Sequence, residues 1–125
     1  MSDSESGAGD GAPGTPPPLF VEVSNGNCYN PQAFCELSFK VTNTTAARFT
    51  ATGEQLGVVG DNGQTYIAGS TRPASCDIAL NPNYYTNCYG EFHIPSGVTI
   101  DSAFISTDAT QAHADGGGSA SYRIP

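Results

Sequence analysis

The sequence predicts an all-β domain, an antiparallel β-sandwich of about seven to nine short strands. Three observations predict it. Cys35, Leu37, Phe39 and Val41 alternate with Glu36, Ser38, Lys40 and Thr42, the period of a strand buried on one face. Pro and Gly punctuate the chain every ten or so residues, too often for long helices. No window places apolar residues at helical spacing over two or more turns.

Each element follows in order. LFVEV gives a first strand with Leu19, Val21 and Val23 on one face, and CELSFKVTN gives the second. After Asn43-Thr44-Thr45 comes ARFTATGEQLGVV, less regular and Gly-containing. Asp61-Asn62-Gly63 then marks a hairpin, because Asn-Gly supplies the positive φ of a tight turn, and QTYIA returns. SCDIALNPNYYTNC reads as a hairpin about Asn81-Pro82-Asn83, with Ile78 opposite Thr86 and Leu80 opposite Tyr84. It continues into YGEFHIP, where Gly90, Phe92 and Ile94 face one way. In VTIDSAF the expected inward row is Val98, Ile100 and Phe104. The loop ATQAHADGGGSA precedes a last short strand around Ser121–Ile124.

The four cysteines, at 28, 35, 76 and 88, form no C-x-x-C pair, so neither zinc spacing nor a thioredoxin-like redox motif is present. A disulfide framework, and with it an oxidising compartment, is the reading they favour. Each of two N-P turns is centred between two cysteines. In NCYNPQAFC, Cys28 opposes Cys35 and Tyr29 opposes Phe34, about a type I turn over Asn30-Pro31-Gln32-Ala33. In the longer stretch Cys76 opposes Cys88. The turns therefore favour Cys28–Cys35 and Cys76–Cys88; the crossed alternative joins Cys35 to Cys88 between two sheets.

Residues 1–18 contain no Val, Ile, Leu, Phe or Tyr and are rich in Gly, Pro and Ser. Such a segment cannot bury enough apolar surface to offset the entropy of ordering, so 1–18 is expected to be a disordered acidic linker and 19–125 the folding unit. The net charge is −8, of which Asp3, Glu5 and Asp10 contribute −3. Four scattered cations, Lys40, Arg48, Arg72 and Arg123, exclude a nucleic-acid partner and electrostatic binding to an anionic membrane. No apolar run of about 18 residues exists, so no transmembrane segment is expected. An acidic Ser/Gly/Pro run directly before a β domain is the pattern that follows the lipidated cysteine of a bacterial lipoprotein. The expectation is that Met1 replaces the end of a removed signal segment and that the only membrane tether is that lost N-terminal anchor. Eighteen flexible residues would reach roughly 25 Å from it.

The run FKVTNTT, then GDNGQTY, ALNPN and GEFHIP, resembles a group of secreted bacterial immunoglobulin-like domains. Their pattern is a V-x-N-T strand end, a D-x-D/N-G-x-x-Y hairpin, an L-x-P-G turn and an F-x-V/I-P strand end. The group is largely of unknown function, is common in lipoproteins of Gram-positive bacteria and shares its fold with a secreted mycobacterial antigen. The resemblance covers residues 19 to 107; Asn83 stands where the group has Gly, and its pattern lacks the four cysteines. It implies an immunoglobulin-like sandwich in which the strand ending Phe92-His93-Ile94-Pro95 pairs antiparallel with Cys35–Val41. Cys35 and Cys88 would then lie at opposite ends of that pair, which favours the sequential disulfides.

No constellation for catalysis stands out. There is no G-x-S-x-G elbow, and the two histidines, His93 and His113, have no nucleophile near them in sequence. The chain is read as a non-enzyme with no cofactor and no metal. His93 is expected to face solvent opposite Phe92. His113 with Asp108 and Asp115 is a loop that lacks a rigid third ligand. Asp61-Asn62-Gly63 lacks the spaced acids of a calcium loop, and Asn43-Thr44-Thr45 fits the N-glycosylation pattern. The candidate binding residues are Tyr29, Tyr84, Tyr85 and Tyr89, interleaved with Asn27, Asn30, Asn83 and Asn87. Tyr gives rigid amphipathic contact area and Asn adaptable hydrogen bonds, the mixture that binding surfaces use. The opposing reading is that these rings cover the disulfides in a chain without Trp. The expected function is recognition of a protein or cell-envelope component by a secreted or cell-surface module. The alternatives are a metal-dependent or enzymatic site at 108–115 and a structural module of a larger assembly.

Overall fold

The computed structural model describes residues 17–29, 34–69, 75–108 and 110–125. Nearly all of the expected linker, residues 1–16, lies outside the described residues, as do Arg72 and the Asn30–Ala33 turn. Pro18 belongs to the folded unit, because its carbonyl accepts the Thr44 N–H at 3.0 Å and the Thr44 hydroxyl at 2.9 Å.

Eight strands follow one another: β1 (Leu19–Tyr29), β2 (Phe34–Asn43), β3 (Phe49–Gly60), β4 (Thr65–Ile67), β5 (Ser75–Leu80), β6 (Tyr85–His93), β7 (Thr99–Ser106) and β8 (Gly116–Arg123). The all-β expectation holds, but the layers are joined. A single mixed sheet runs β4-β3-β7-β8-β1-β2-β6, with β5 also on β3, and curls until it nearly closes into a barrel. Two features join what a sandwich would keep as separate sheets. The twelve-residue β3 pairs with β4 and β5 and also with β7. The start of β8 pairs parallel with β1, Leu19 beside Gly116 and Phe20 beside Gly117.

Glycine makes that parallel approach possible. A Cβ on Gly116 would collide with Leu19 and Ile105, and one on Gly118 with the Val21 carbonyl. Five of the twelve residues expected to be a loop, Gly116–Ala120, are therefore strand. Side chains absent at these positions let two backbones meet.

The core fills the barrel: Leu19, Val21, Leu37, Phe39, Val41, Leu56, Val58, Phe92, Ile94, Ile100 and Ile105 are all essentially inaccessible to water. The inward row Cys35, Leu37, Phe39, Val41 and the Asn-Gly hairpin between β3 and β4 stand as expected. Phe104 does not join Val98 and Ile100. A bulge between Ile100 and Ser102 shifts the register, so Ala103 and Ile105 enter the core instead. Phe104 is buried on the outer side, over Gly57 and against the His113 ring 5.5 Å away.

The stretch about Pro82 turns as expected, with Tyr84 N–H donating to Asn81 at 3.1 Å and Asn83 at φ 68°. Its two arms do not form a ladder. β5 pairs with β3 and β6 pairs with β2, so the expected pairs Ile78–Thr86 and Leu80–Tyr84 are not ladder partners. The fully buried Asn43 holds the turn between these two arms. Its side-chain amide donates to the carbonyls of Leu80 at 2.8 Å and Ala47 at 2.9 Å, and its backbone exchanges bonds with Asn83 and Tyr84. With both amide hydrogens engaged, Asn43 is not presented as a glycosylation acceptor in the folded domain.

Both sequential disulfides are present, Cys28–Cys35 and Cys76–Cys88. The first joins directly opposed residues of the β1–β2 ladder. The second crosses the seam where β5 and β6 face each other. On the same side of the barrel the Gly69 N–H, just past β4, donates to the Glu91 carbonyl of β6 at 2.7 Å. Two disulfides are compatible with an extracytoplasmic location.

Candidate binding face of the β1–β2–β6 sheet

Registry builds this face. Opposed residues of an antiparallel pair point the same way, so the outward row of β2, Phe34, Glu36, Ser38, Lys40 and Thr42, extends onto both neighbours. β6 contributes Tyr85, Asn87, Tyr89, Glu91 and His93, and β1 contributes Phe20, Glu22, Asn25, Asn27 and Tyr29. The bulge between Val23 and Asn25 keeps the asparagines on the outer side.

Three of the four predicted tyrosines lie on this face, and all four are exposed: Tyr29 by 49%, Tyr84 by 63%, Tyr85 by 56% and Tyr89 by 68%. They are not one cluster around the disulfides. Tyr29 stands at one end, its ring 6.0 Å from Phe34, which lies 5.5 Å from the exposed His93. Tyr85 is eight residues away along β6, with the Lys40 ammonium 4.5 Å above its ring. Tyr84 lies in the Pro82 turn, outside the strand.

Tyr89 lines a groove of about 670 Å³ that crosses from β1 over β2 and β6 to β5. Asn25, Asn27 and Asn87 bring side-chain amides to it, Ser38 brings a hydroxyl, and Glu36, Asp77 and Glu91 bring carboxyls. Thr86, on the inward row of β6, lies at its edge. Cys76 and Cys88 form part of its wall, so the disulfide fixes the shape of the site. No Lys or Arg lines it among the described residues. The sequence pointed to Tyr89, Asn27 and Asn87 but not to Asn25 or to the groove, which needs β1, β2, β5 and β6 side by side.

The second polar concentration lies at the 106–115 loop. Asp108 is committed to it: its carboxylate accepts from Thr110 N–H at 3.0 Å, from the Thr110 hydroxyl at 2.7 Å and from Gln111, and these bonds hold its pKa below the usual value. His113 covers Phe104, and Asp115 accepts the Thr107 N–H at 3.1 Å. Among the described residues no three His, Cys, Asp or Glu side chains converge as metal ligands, here or elsewhere.

Glu54 escaped the sequence reading. It shares an inward row with Leu56 and Val58 and is fully buried. Neither carboxyl oxygen meets a partner at hydrogen-bond geometry among the described residues. Burial, reinforced by the neighbouring Asp115 carboxyl, pushes its pKa up to about 8. At neutral pH the folded chain therefore holds it as the neutral acid. An acid in step with Leu56 and Val58 was the available signal.

Among the described residues no helix is long and apolar enough to cross a membrane. The chain matches no family model, no curated protein and no solved structure.

Proposed function

We propose that this domain is a non-catalytic, extracytoplasmic recognition module that engages its ligand on the outer face of β1–β2–β6. The observation that carries the reading is Tyr89, a ring 68% exposed on a rigid strand and set in a groove rich in hydrogen-bonding side chains. Rings that closed the core or sealed the disulfides would be buried, and these are in water. Exposed aromatics on a fixed scaffold are what recognition surfaces present. The two histidines support the non-catalytic reading, since His93 lies against Phe34 and His113 against Phe104, each serving packing. The two disulfides support an oxidising compartment. A lipoprotein origin and kinship with secreted immunoglobulin-like domains complete the proposal; they rest on the tail composition and the short turn motifs.

The test is retention of the folded domain on isolated cell envelope of its source organism. Wild type is expected to be retained, and Tyr85→Ala/Tyr89→Ala to be released at unchanged melting temperature. Equal retention of both would overturn the reading.

One observation favours a metal-dependent or enzymatic site at 108–115: the unpartnered Glu54 carboxyl beside Asp115. A ligand that binds only the native state must stabilise it. Calcium or zinc raising the melting temperature of wild type, but not of Glu54→Gln, would support that second reading.

A further inference from the structure

We infer that the groove binds an uncharged polysaccharide, with the Tyr89 ring as the stacking platform and Asn25, Asn27 and Asn87 reading sugar hydroxyls. This rests on the reading of β1–β2–β6 as the binding face and names the chemical class of its ligand.

The lining selects by what it lacks. A nucleic acid or an anionic glycan needs clustered cations, and among the described residues the lining has no Lys or Arg. A peptide anchored by apolar side chains needs a dry pocket walled by aromatic and aliphatic groups. Here Tyr89 is the one aromatic side chain and the Cys76–Cys88 bridge the main apolar wall among the described residues.

What the lining offers matches a sugar. A hydroxyl both donates and accepts, and a side-chain amide does the same, so three amides pair with vicinal hydroxyls whichever way those rotate. The Ser38 hydroxyl, on the same outward row, adds a further donor and acceptor. The face of an aromatic ring is electron-rich, and the C–H face of a pyranose is its complement. Tyr89 holds such a face in water at 68% exposure.

Shape agrees with chemistry. From Thr86 to Glu91 the β6 wall runs about 17 Å, and from β6 to β1 the floor spans about 10 Å. A groove of about 670 Å³ falls in the size range of ligand sites. It is elongated along the strand, suited to several linked sugars rather than one. Strand and disulfide hold its walls before binding, which lowers the ordering cost of a weak, polar contact set.

The experiment uses the whole chain with intact disulfides, on insoluble cellulose, chitin and peptidoglycan and on soluble neutral glucans by affinity electrophoresis, at low and high salt. Retention on at least one uncharged polysaccharide is expected, little changed by salt because no ion pair carries it. Tyr89→Ala is expected to weaken it about tenfold and Tyr89→Phe to preserve it, since the ring, not the hydroxyl, is the platform. Asn87→Ala is expected to weaken it several-fold at unchanged melting temperature. No retention on any polysaccharide, or retention indifferent to Tyr89→Ala, overturns the assignment. If envelope protein is then bound in a Tyr85- and Tyr89-dependent way, the glycan assignment alone has failed. If neither is bound, the binding-face reading has failed with it.

Discussion

The two disulfides sit on opposite kinds of ground. Cys28–Cys35 links directly paired residues of a long ladder, Cα atoms 4.1 Å apart, where β1 and β2 are paired from Leu19–Asn43 to Tyr29–Phe34 with one bulge. Cys76–Cys88 spans 6.0 Å between β5 and β6, which share no ladder and belong to different parts of the sheet. Closing their loops restricts the unfolded chain by similar amounts, about 2.5 and about 3 kcal/mol. The difference lies in the folded state. On the hairpin side the backbone already holds the strands together. On the seam side the bridge and the Pro82 turn do so, and the Gly69 N–H just past β4 adds its bond to Glu91 of β6. A covalent link contributes most to native order where hydrogen bonds contribute least.

The largest effect expected separates the sides by pH. Glu54 stands opposite Cys76 on the seam side, with a folded-state pKa near 8 and an ordinary value of 4.5. The folded chain thus keeps a proton that the unfolded chain has released. That stabilisation is full below pH 4.5 and is lost as pH rises through about 8, at up to about 1.4 kcal/mol per unit. Urea denaturation should show wild-type stability falling between about pH 5 and 9, with Glu54→Gln nearly level. An equal fall in the variant would assign the titration elsewhere.

Removing the seam bridge comes next. Cys76→Ala/Cys88→Ala should lose about 3 kcal/mol or more and speed amide exchange through Ser75–Leu80 and Tyr85–His93. Cys28→Ala/Cys35→Ala should lose no more than about 2.5 kcal/mol, with faster exchange confined to the hairpin tip. Identical losses and identical exchange maps would break the comparison. The smallest effect should come from Tyr89→Ala, within about 0.5 kcal/mol of wild type by the same denaturation. A loss above about 2 kcal/mol would make the ring part of the core and remove it from the binding face.

Much of this was legible from the chain. The inward row of β2, the Asn-Gly hairpin and the favoured sequential cysteine pairs follow from period-two alternation and turn chemistry. The β2–β6 pairing was implied only by the resemblance to secreted immunoglobulin-like domains. The misses have physical causes. Phe104 left its expected row because a bulge at Ile100/Ser102 reverses which face later residues take. β5 left β6 because Asn43 anchors the turn between them and β3 offers the longer partner. Gly116 to Gly118 looked like a loop because the reason for glycine there, contact with Leu19, His113 and Val21, lies across the sheet. The tyrosines were visible as candidates, while their exposure and the groove around Tyr89 were not.

Acting alone, the sequence determined the strand-rich class and the Asn62-Gly63 and Pro82 turns, and it favoured the pairing of thiols close along the chain. These depend on side-chain period, on φ preferences and on loops of a dozen residues or fewer. The tertiary structure decided that the sheet curls toward closure through β1–β8 and β3, that Glu54 loses its water beside Asp115, and that Tyr89 meets three asparagines in one groove. Each is a contact between distant segments, and residue periodicity specifies which face a side chain takes without specifying which strand will lie beside it.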